Sequence, residues 1–364
     1  MSKQCILLNN ETHRLDWLLT DPRGQLVLQD AYNMGTVPRC QCKASGVEMY
    51  IARRGSSYYL AKLPDSGFLH ASDCPSASEG GMMSGLETYA HGAVLKVGTE
   101  FAVTYTETRQ FMDGMATSVT CDGLLDLLME QAGMNIRCPD EQPGWNGLYQ
   151  KLREASGNVL VNGALLENCM LVPEYFDRNR VGEIDAYLEP IIAVGSPLIW
   201  VCAPLKLIAS SKYGWQIKLK HLPRLVFWVT AQVARRVVLR SSSPLDMRNP
   251  PETAMCLMAI KHGRDHGSFT VTDFAVRPTD AWFYPARDDI GGLLSFLLGQ
   301  RAPVIRPMRY DSHPDHPMAD FGLIKAESIT PAFRLSRSEA NYIERRRRAY
   351  LMKRNNADVY IVEV

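Results

Sequence analysis

Four potential metal ligands near the N-terminus constrain the fold more than any other feature of the chain. Cys40 and Cys42 in "PRCQCKASG" are separated by one residue, and His70 and Cys74 in "GFLHASDCPSA" are separated by three. A disulfide across one intervening residue is strained away from its preferred dihedral angle, so the first pair needs another partner. The whole pattern, C-x-C-x27-H-x3-C, offers three thiolates and one imidazole, which zinc binds readily. The sequence therefore predicts zinc bound by Cys40, Cys42, His70 and Cys74.

The segment between the two ligand pairs is predicted to be a β-hairpin. In "VEMYIARRGSSYYLAKLP", apolar and aromatic residues alternate on both sides of Gly55-Ser56. Two ligand pairs that flank a hairpin predict an N-terminal zinc ribbon over residues 1–78, with a strand-forming lead-in over residues 1–35. Because protein fills all four positions, we expect the zinc to be structural and to contribute to the folding free energy of the module.

The surface of the predicted ribbon has two interpretations. Basic and tyrosine side chains could meet phosphates and stack on bases, or they could form a solvated surface over a small aromatic core. The second interpretation is favoured. The residues concerned are Arg39, Lys43, Arg53, Arg54, Lys62, Tyr50, Tyr58 and Tyr59.

Composition predicts a soluble cytoplasmic protein with no membrane partner. The 40 basic and 39 acidic residues nearly cancel, so any argument for nucleic acid has to be local. The first residues are too polar for a signal peptide, and the chain has no apolar run long enough to span a membrane. Nine cysteines, an odd number, fit a reducing compartment. Six of them are predicted to be ordinary buried or half-buried thiols: Cys5, Cys121, Cys138, Cys169, Cys202 and Cys256.

Residues 79–189 are predicted to form a mainly helical middle domain. Leucines in "DGLLDLLMEQAGMN" recur at helical spacing, a second helix is predicted over Trp145 to Ser156, and a third near Leu160 to Cys169. "AVLKVGTEFAVTYTE" predicts a strand or hairpin before them. Short helices with Gly turns can form a helix-turn-helix, but plain helical packing is favoured because no basic recognition helix stands out.

Residues 190–364 are predicted to form an α/β domain with a β-rich entry. The entry has alternating runs on both sides of Tyr213-Gly214, which predicts another hairpin. Strands are then predicted in "AMCLMAIKHGRDHGSFTVTDFAVRP". The order after Asp289 is helix, three strands, helix and strand, ending in "ADVYIVEV". The fold class is therefore α/β (α+β) and multidomain, with strands covered by helices.

Several of these segments resemble an uncharacterised bacterial domain-of-unknown-function family, number eleven seventy-three. The resemblance is carried by "RCQCKASGVEMYIARRGSSYYLAKLPDSGFLHASDCPS", "GLLDLLMEQAGMN", "YGWQIKLKHLP" and "APVIRPMRYDSHPDHPMADFGLI", which keep their order from residue 39 to about residue 324. It implies a setting on plasmids or integrative elements and a mobile-element protein as a possible partner.

The arrangement of a ribbon followed by α-β-β-β-α-β also resembles CoiA-like proteins of the PD-(D/E)xK restriction-endonuclease-like kind. That likeness implies a metal-holding acid on the second strand, where Asp320 stands, and another on the third. The third strand, "PAFRLSRS", has Arg334 at that place, and a cation opposes metal binding. Asp320 is thus a remnant catalytic acid, and magnesium is expected only if an active nuclease recruits a ligand from elsewhere: Asp288, Asp289 or Glu327.

The C-terminal helix is the clearest candidate for DNA binding. From Arg334 to Arg354 the chain has eight basic residues and two acids, Glu339 and Glu344. Four consecutive arginines point in every direction around a helix, which is typical of a polyanion contact, although a solvated helix face is an equal alternative. The residues predicted to contact phosphate are Arg345, Arg346, Arg347, Arg348, Lys353 and Arg354.

Two further clusters are weaker. "RYDSHPDHPMAD" brings together Asp311, His313, Asp315, His316 and Asp320, but its prolines favour a plain turn over a metal site. "KHGRDHGS" places His262 and His266 four apart in Gly-rich text, which also favours a turn. The chain lacks a nucleophile elbow, a phosphate loop and a dinucleotide fingerprint.

Together these patterns predict a zinc-binding, DNA-associated accessory protein whose C-terminal layer is nuclease-like and incomplete. Two alternatives remain open. One is an active metal-dependent nuclease, and the other is an interaction module in which the ribbon docks another protein.

Overall fold

The structure is a computed structural model that describes most of the chain. The described residues are 4–43, 46–54, 57–62, 70–71, 74, 76, 83–90, 92–97, 99–112, 115–139, 141, 144–177, 198–212, 214–240, 245–262, 268–281, 283–285, 291–312, 316, 318–325, 329–335 and 360–363. The chain divides into two compact units, Met1–Glu87 and Thr88–Val364. The mixed α+β class is confirmed in this part of the chain.

The first unit is built on a five-stranded antiparallel sheet in the order β2-β1-β3-β4-β5. Its strands are β1 Cys5–Leu8, β2 Glu11–Arg14, β3 Arg39–Cys40, β4 Val47–Arg54 and β5 Ser57–Lys62. Strands β4 and β5 pair from Met49↔Lys62 to Arg54↔Ser57, so the predicted hairpin around residues 55–56 is confirmed. The core of this unit joins Ile6, Leu8, Leu18 and Leu28 to two cysteines, Cys40 and Cys74.

The predicted strand-forming lead-in is only partly right, because two helices follow β2. They are α1 Leu15–Thr20 and α2 Pro22–Met34. Helix α2 begins with Asp21, whose carboxylate accepts a hydrogen bond from the Arg23 N–H at 2.8 Å, and it ends at Gly35 with φ 67°. An Asp cap, a Pro in the first turn and a left-handed Gly are strong helix boundaries, and they outweigh the weak strand pattern.

The second unit begins with small sheets and two α-helices. One sheet has the order β12-β11-β7-β6, and strands β8 and β9 form a separate ladder. The helices are α3 Cys121–Gln131 and α4 Trp145–Ser156. The strands up to residue 171 are β6 Val94–Val97, β7 Glu100–Val103, β8 Phe111–Met112, β9 Met115–Ala116, β10 Ile136–Arg137, β11 Val159–Val161, β12 Ala164–Leu165 and β13 Met170–Leu171.

The described part of residues 79–189 is mixed, with the two helices α3 and α4 among several short strands. The helix predicted near Leu160 to Cys169 is instead the hairpin β11–β12 followed by a 3-10 turn over Leu166–Cys169. Asn162-Gly163 has φ 50° and 85°, and Asn-Gly is a strong two-residue hairpin signal that outweighs the leucine spacing. Helices α3 and α4 are separated by residues 132–144, which include β10, so they do not form a tight helix-turn-helix. The predicted helices at α3 and at Trp145–Ser156 are confirmed.

Five strands close into a barrel in the centre of the second unit. They are β14 Ile199–Ser211, β15 Gly214–Leu219, β16 Val226–Thr230, β17 Ala254–His262 and β18 Ser268–Pro278, with helix α5 Ala231–Arg240 between β16 and β17. Neighbours pair in the order β14-β15-β16-β18-β17, and β17 pairs back to β14. The β16–β18 pair is parallel and the others are antiparallel. The hairpin predicted around residues 213–214 is the β14–β15 pair.

The C-terminal sheet has the order β10-β19-β20-β21-β22. Helix α6 Gly291–Leu298 precedes β19 Val304–Ile305, β20 Phe321–Ile324, β21 Ile329–Leu335 and β22 Tyr360–Glu363. The first three of these four strands are antiparallel neighbours, and β22 is parallel to β21. The elements predicted for these segments are confirmed, while the predicted arginine-rich helix lies outside the described residues. The predicted second and third domains share two sheets, since β10 pairs with β19 and β13 with β14.

Helix α3 lies inside the second unit with every residue from Cys121 to Met129 buried. Its Asp122 carboxylate accepts a hydrogen bond from Arg240 Nε at 3.0 Å, and Asp126 accepts one from Arg277 Nε at 2.7 Å. Arg240 also bonds Asp273 at 2.8 Å. A buried charge is tolerated only when a partner and further hydrogen bonds compensate its lost hydration, so these pairs hold α3 in one position.

A further buried carboxylate, that of Asp311, links the start of α3 to the C-terminal region. It accepts hydrogen bonds from Tyr89 Oη at 2.7 Å and from the Thr120 N–H at 2.7 Å. A side chain at Gly123 would collide with the Tyr89 hydroxyl and the Asp311 carboxylate, which explains the glycine in this helix.

Within the described residues, no helix combines the length and the apolar character that crossing a membrane would require.

Candidate metal centre

The four predicted ligands meet at one place in the first unit. Cys40 ends strand β3, where it is paired with Ile6 on β1 and Val47 on β4, and Cys42 stands in the turn that follows. His70 and Cys74 come after the β4–β5 hairpin. The hairpin thus brings the second pair back to the first, although 27 residues separate Cys42 from His70.

The donor atoms of these residues are close and shielded from solvent. The Sγ atoms of Cys40 and Cys74 are 3.7 Å apart, and His70 Nδ1 lies 3.4 Å from Cys42 Sγ and 3.5 Å from Cys74 Sγ. All four donor atoms lie within 4.8 Å of one another. Cys40, Cys74 and His70 are buried and Cys42 is half-buried, so the residues form a group that can hold a metal ion.

These separations match the edges of a zinc tetrahedron. With Zn–S bonds of about 2.3 Å and Zn–N bonds of about 2.05 Å, tetrahedral angles place two sulfurs about 3.8 Å apart and a sulfur and a nitrogen about 3.5 Å apart. The observed 3.7, 3.4 and 3.5 Å agree with these values. A disulfide would require about 2.05 Å between sulfurs, so the cluster does not have disulfide geometry.

Protonation of the site explains why a cation would be favoured there. Burial raises the pKa of Cys74 to about 12. Burial also lowers the pKa of His70, and the positive charges of Lys62 and Lys43 lower it further. Without a cation the Cys74 thiol is therefore protonated and the imidazole neutral at pH 7. A divalent metal would replace thiol protons and leave its own charge to balance the thiolates.

Several hydrogen bonds already point at the sulfur atoms. Gln4 Nε2 donates to Cys40 Sγ at 3.2 Å and to Ser76 Oγ at 2.8 Å, and the Ala71 N–H donates to Cys42 Sγ at 3.4 Å. Donors of this kind stabilise thiolates and orient them toward a metal. His70 Nε2 is buried, and no hydrogen-bond partner for it exists among the described residues. Nδ1 is therefore the imidazole atom that faces the sulfurs.

The residues proposed to decorate this unit are mostly engaged in packing. Arg39 forms an exposed ion pair with Glu48 at 2.9 Å, and the Arg53 guanidinium lies 5.9 Å from the centre of the Tyr58 ring. Tyr58 is buried in the core, and burial raises the pKa of Tyr50. These contacts agree with the favoured interpretation of a small aromatic core.

Asp320 lies immediately before strand β20 and is nearly buried. Its carboxylate accepts a hydrogen bond from the backbone N–H of Arg334 at 2.7 Å, so the two residues singled out in the sequence are neighbours. Among the described residues, Cys40, Cys42, His70 and Cys74 form the only group of three or more His, Cys, Asp or Glu side chains that could hold a metal. The role of Asp320 as a catalytic remnant stays a prediction.

Some of the other residues predicted from the sequence as possible site residues have contacts within the fold, and the rest lie outside the described residues. Asp311 is fully buried and bonded to Tyr89 and Thr120, and it belongs to no potential metal-binding group among the described residues. His262 ends strand β17, and the His316 carbonyl accepts a hydrogen bond from Arg309. Outside the described residues lie His266, Asp288, Asp289, His313, Asp315, Glu327, Arg345, Arg346, Arg347, Arg348, Lys353 and Arg354.

Sequence patterns alone missed the buried acids of α3. Asp122 and Asp126 stand four residues apart within a run of leucines, a spacing that places both carboxylates on one face of a helix. That signal was available, but their partners Arg240 and Arg277 are more than a hundred residues away.

Comparison with known proteins gives one result. The family model described as "Protein of unknown function (DUF1173)" matches residues 20–363, which confirms the predicted resemblance. No curated protein matches the chain. No solved structure matches it either.

Proposed function

Since the chain belongs to DUF1173, a family of proteins of unknown function, we propose a function from its own residues: a zinc-binding accessory protein that associates with DNA. The observation that carries the zinc assignment is the agreement of the donor distances at Cys40, Cys42, His70 and Cys74 with the edges of a zinc tetrahedron.

Zinc suits this donor set better than other common metals. Three thiolates and one imidazole are soft and borderline ligands, whereas calcium and magnesium prefer oxygen. With all four positions supplied by the chain, no open position remains for a substrate, so the ion is structural. It ties the turn after β3 to the segment after β5, as in a zinc ribbon.

The DNA association rests on local charge and on the character of the C-terminal layer. The sequence from Arg345 to Arg354 is strongly basic in a chain whose net charge is +1, which favours phosphate contacts with little sequence preference. The strand directions of β19 to β22 are compatible with a nuclease-like layer, and an arginine at position 334, where the likeness expects a second acid, opposes metal binding there. We place the protein on a plasmid or integrative element as a binding factor.

Elemental analysis of the purified full-length protein tests the zinc assignment. One equivalent of zinc is expected in the wild type and a large loss in Cys74→Ser. Cys138→Ser, which removes a half-buried thiol of the second unit, is the matched control and should keep the zinc. A folded, zinc-free wild-type protein would overturn the assignment.

Two assays test the DNA part. A gel-shift titration should show binding at low salt that falls steeply toward physiological ionic strength. No binding to any DNA at low salt would end this part of the proposal. Incubation with plasmid and magnesium should leave the DNA intact, and cutting that is lost in Asp320→Ala would instead support an active nuclease.

A further inference from the structure

The barrel of strands β14 to β18 has the strand connectivity of an oligonucleotide-binding fold. Its first three strands form a meander, a helix connects the third strand to the fourth, and the fifth is parallel to the third and antiparallel to the fourth. The first strand, β14, pairs with β17 along one half and with β15 along the other, as closure of such a barrel requires. Ile199–Pro204 pair with β17, Leu205–Ser211 pair with β15, and the register shifts between Leu205 and Leu207. In this fold the outer face of the second and third strands holds oligonucleotides or oligosaccharides.

A fold does not assign a ligand, whereas the side chains on the outer surface of the barrel can indicate one. One side of the barrel wall is covered by the rest of the second unit. Trp200 on β14 stacks edge-on against Tyr105 with ring centroids 4.8 Å apart, and Cys121 on α3 donates to the Leu257 carbonyl on β17. Strand β17 is accordingly buried from Ala254 to Ile260, on both of its faces.

The opposite side of the barrel, formed by β15 and β16, carries exposed and half-buried side chains. Along β16 the burial alternates, with Phe227 and Val229 inside the barrel and Trp228 and Thr230 outside. Trp228 is 43 % exposed, which is unusual for so large an apolar ring on a strand of a packed barrel.

Trp228 lies in the middle of a row that crosses the barrel wall in register. Gln216 on β15 pairs with it on one side and Thr270 on β18 on the other, and Thr270 pairs in turn with Lys261 on β17. On the next step along the wall, Lys218 pairs with Leu207, which is 44 % exposed. The face therefore combines one aromatic plane, one aliphatic side chain, short polar groups and lysines.

The part of the sequence that forms β14 to α5 is strongly basic. Residues 190–245 contain eight Lys or Arg and no Asp or Glu, although the whole chain has a net charge of only +1. Two of the eight, Arg236 and Arg240, form ion pairs with acids from other elements. Lys206, Lys218 and Lys220 have no carboxylate partner in the part of the chain that the structure describes. A basic surface around an exposed aromatic ring complements a chain of phosphates and bases.

We propose that this face, with Trp228 at its centre and Lys218 and Lys261 around it, binds single-stranded DNA. A base stacks on the indole of Trp228, and the lysines contact the flanking phosphates. Duplex DNA cannot present an unstacked base to a flat strand face, so it binds there more weakly. The inference rests on the proposed DNA association and deepens it by naming residues of the barrel that contact the DNA.

Fluorescence anisotropy with the full chain and a labelled oligothymidylate of about 15 nucleotides tests the proposal, because single barrels of this kind cover about 4–16 nucleotides. Trp228→Ala should weaken binding about 5- to 100-fold, the range that loss of one base–aromatic stack produces. Trp228→Phe should recover part of the loss. Lys218→Gln should reduce the slope of log affinity against log salt by about 0.7, the value for one phosphate contact on a single strand.

Two exposed residues of α5 provide matched controls. Leu239→Ala removes an apolar side chain that is 76 % exposed, and Arg235→Gln removes an exposed cation. Neither residue lies on the strand face, so both variants should bind as the wild type does. Trp228→Ala should remain folded with a cooperative thermal transition, because Trp228 lies outside the buried core cluster of the barrel.

The outcomes separate the failure of this inference from that of the proposed function. Single-strand binding that is weakened by the face variants and spared by the controls supports the proposal. Binding that ignores Trp228→Ala and Lys218→Gln overturns the barrel site while the association with DNA stands. No binding to single-stranded or duplex DNA at low salt overturns both. Equal affinity for a duplex, binding of oligouridylate without oligothymidylate, or competition by a sulfated polysaccharide that is insensitive to Trp228→Ala each overturns the assignment to single-stranded DNA.

Discussion

The two units of this chain bury polar groups in opposite ways. In the first unit, the donors of Cys40, Cys42, His70 and Cys74 converge without a cationic side chain among them. In the second, the carboxylates of helix α3 meet arginines of the same chain, as in the Asp122–Arg240 pair at 3.0 Å. The first cluster could hold a cation from outside the chain, whereas the second already contains its own cations. Stability of the two units should therefore respond to different treatments.

Size gives a reason for the difference. The first unit ends at Glu87, and a core of that size buries too little apolar surface to tolerate much buried polarity unaided. The second unit has a large core around the barrel, including Phe227, Phe274 and Met258, against which a charged network can be held.

The largest effect is expected from metal removal. Structural zinc sites of this kind bind with about 10–16 kcal/mol of free energy, far more than a small domain's own stability. A strong chelator should therefore abolish hydrogen-exchange protection in strands β3 to β5. Protection of α3 and β17 in the second unit should stay unchanged and serves as an internal control. Equal loss in both units would show that the metal does not act locally.

The second-largest effect is expected from removing Arg240 from its buried ion pairs. Arg240→Met leaves the carboxylates of Asp122 and Asp273 buried without their cation, which should cost about 3–5 kcal/mol of unfolding free energy for the second unit. Denaturant unfolding measures the change. Arg235→Met, at an exposed position of the same helix, should change stability by less than about 0.5 kcal/mol. Similar values for the two variants would contradict a stabilising role for the buried network.

A smaller, pH-dependent effect is expected at the last acid of α3. Burial raises the pKa of Glu130 to about 7, above its ordinary value in an unfolded chain. The folded state then binds this proton more tightly, so the contribution to stability is full below about pH 4.5 and is lost as the pH rises through about 7. Glu130→Gln should therefore be more stable than the wild type at pH 8, by on the order of 1–3 kcal/mol, and this advantage should vanish near pH 4. Thermal unfolding across pH measures it, and an advantage independent of pH would contradict the assignment.

The smallest effect is expected for a surface pair. Arg39 and Glu48 are both about half exposed, with side-chain values of 50 % and 51 %. Glu48→Gln should cost no more than about 0.5 kcal/mol, because exposed ion pairs are screened by water and salt. A double-mutant cycle with Arg39→Gln measures the coupling. A coupling above about 1 kcal/mol would mean that this pair is not a simple surface contact.

Local sequence signals predicted much of the fold. The β4–β5 and β14–β15 hairpins, helix α4 over Trp145–Ser156 and the strands from Ala254 to Pro278 agree with their patterns. The errors also have local causes. The caps of α2 outweighed the strand pattern of the lead-in, and the Asn162-Gly163 turn outweighed the helical leucine spacing that follows it.

The candidate metal site was predictable because its ligands come in two close pairs. One hairpin is enough to bring Cys42 and His70 together, and the chemistry of three thiols and an imidazole names the class of metal. The face of the barrel around Trp228 was not predictable in this way. Trp228 on β16 and Lys261 on β17 are brought into one row by β18, and nothing near either residue indicates that pairing.

The candidate ligand set of the first unit, the turns of its hairpins and the alternation of its strands follow from local sequence. The closure of the barrel, its covered face and the arginines that balance the acids of α3 follow from tertiary packing. The two groups differ in the sequence distance over which their interactions act. Turn residues, caps and paired ligands act over a few positions. A parallel strand pair such as β16–β18, or the Thr120–Asp311 hydrogen bond across 191 residues, depends on the packing of the whole unit.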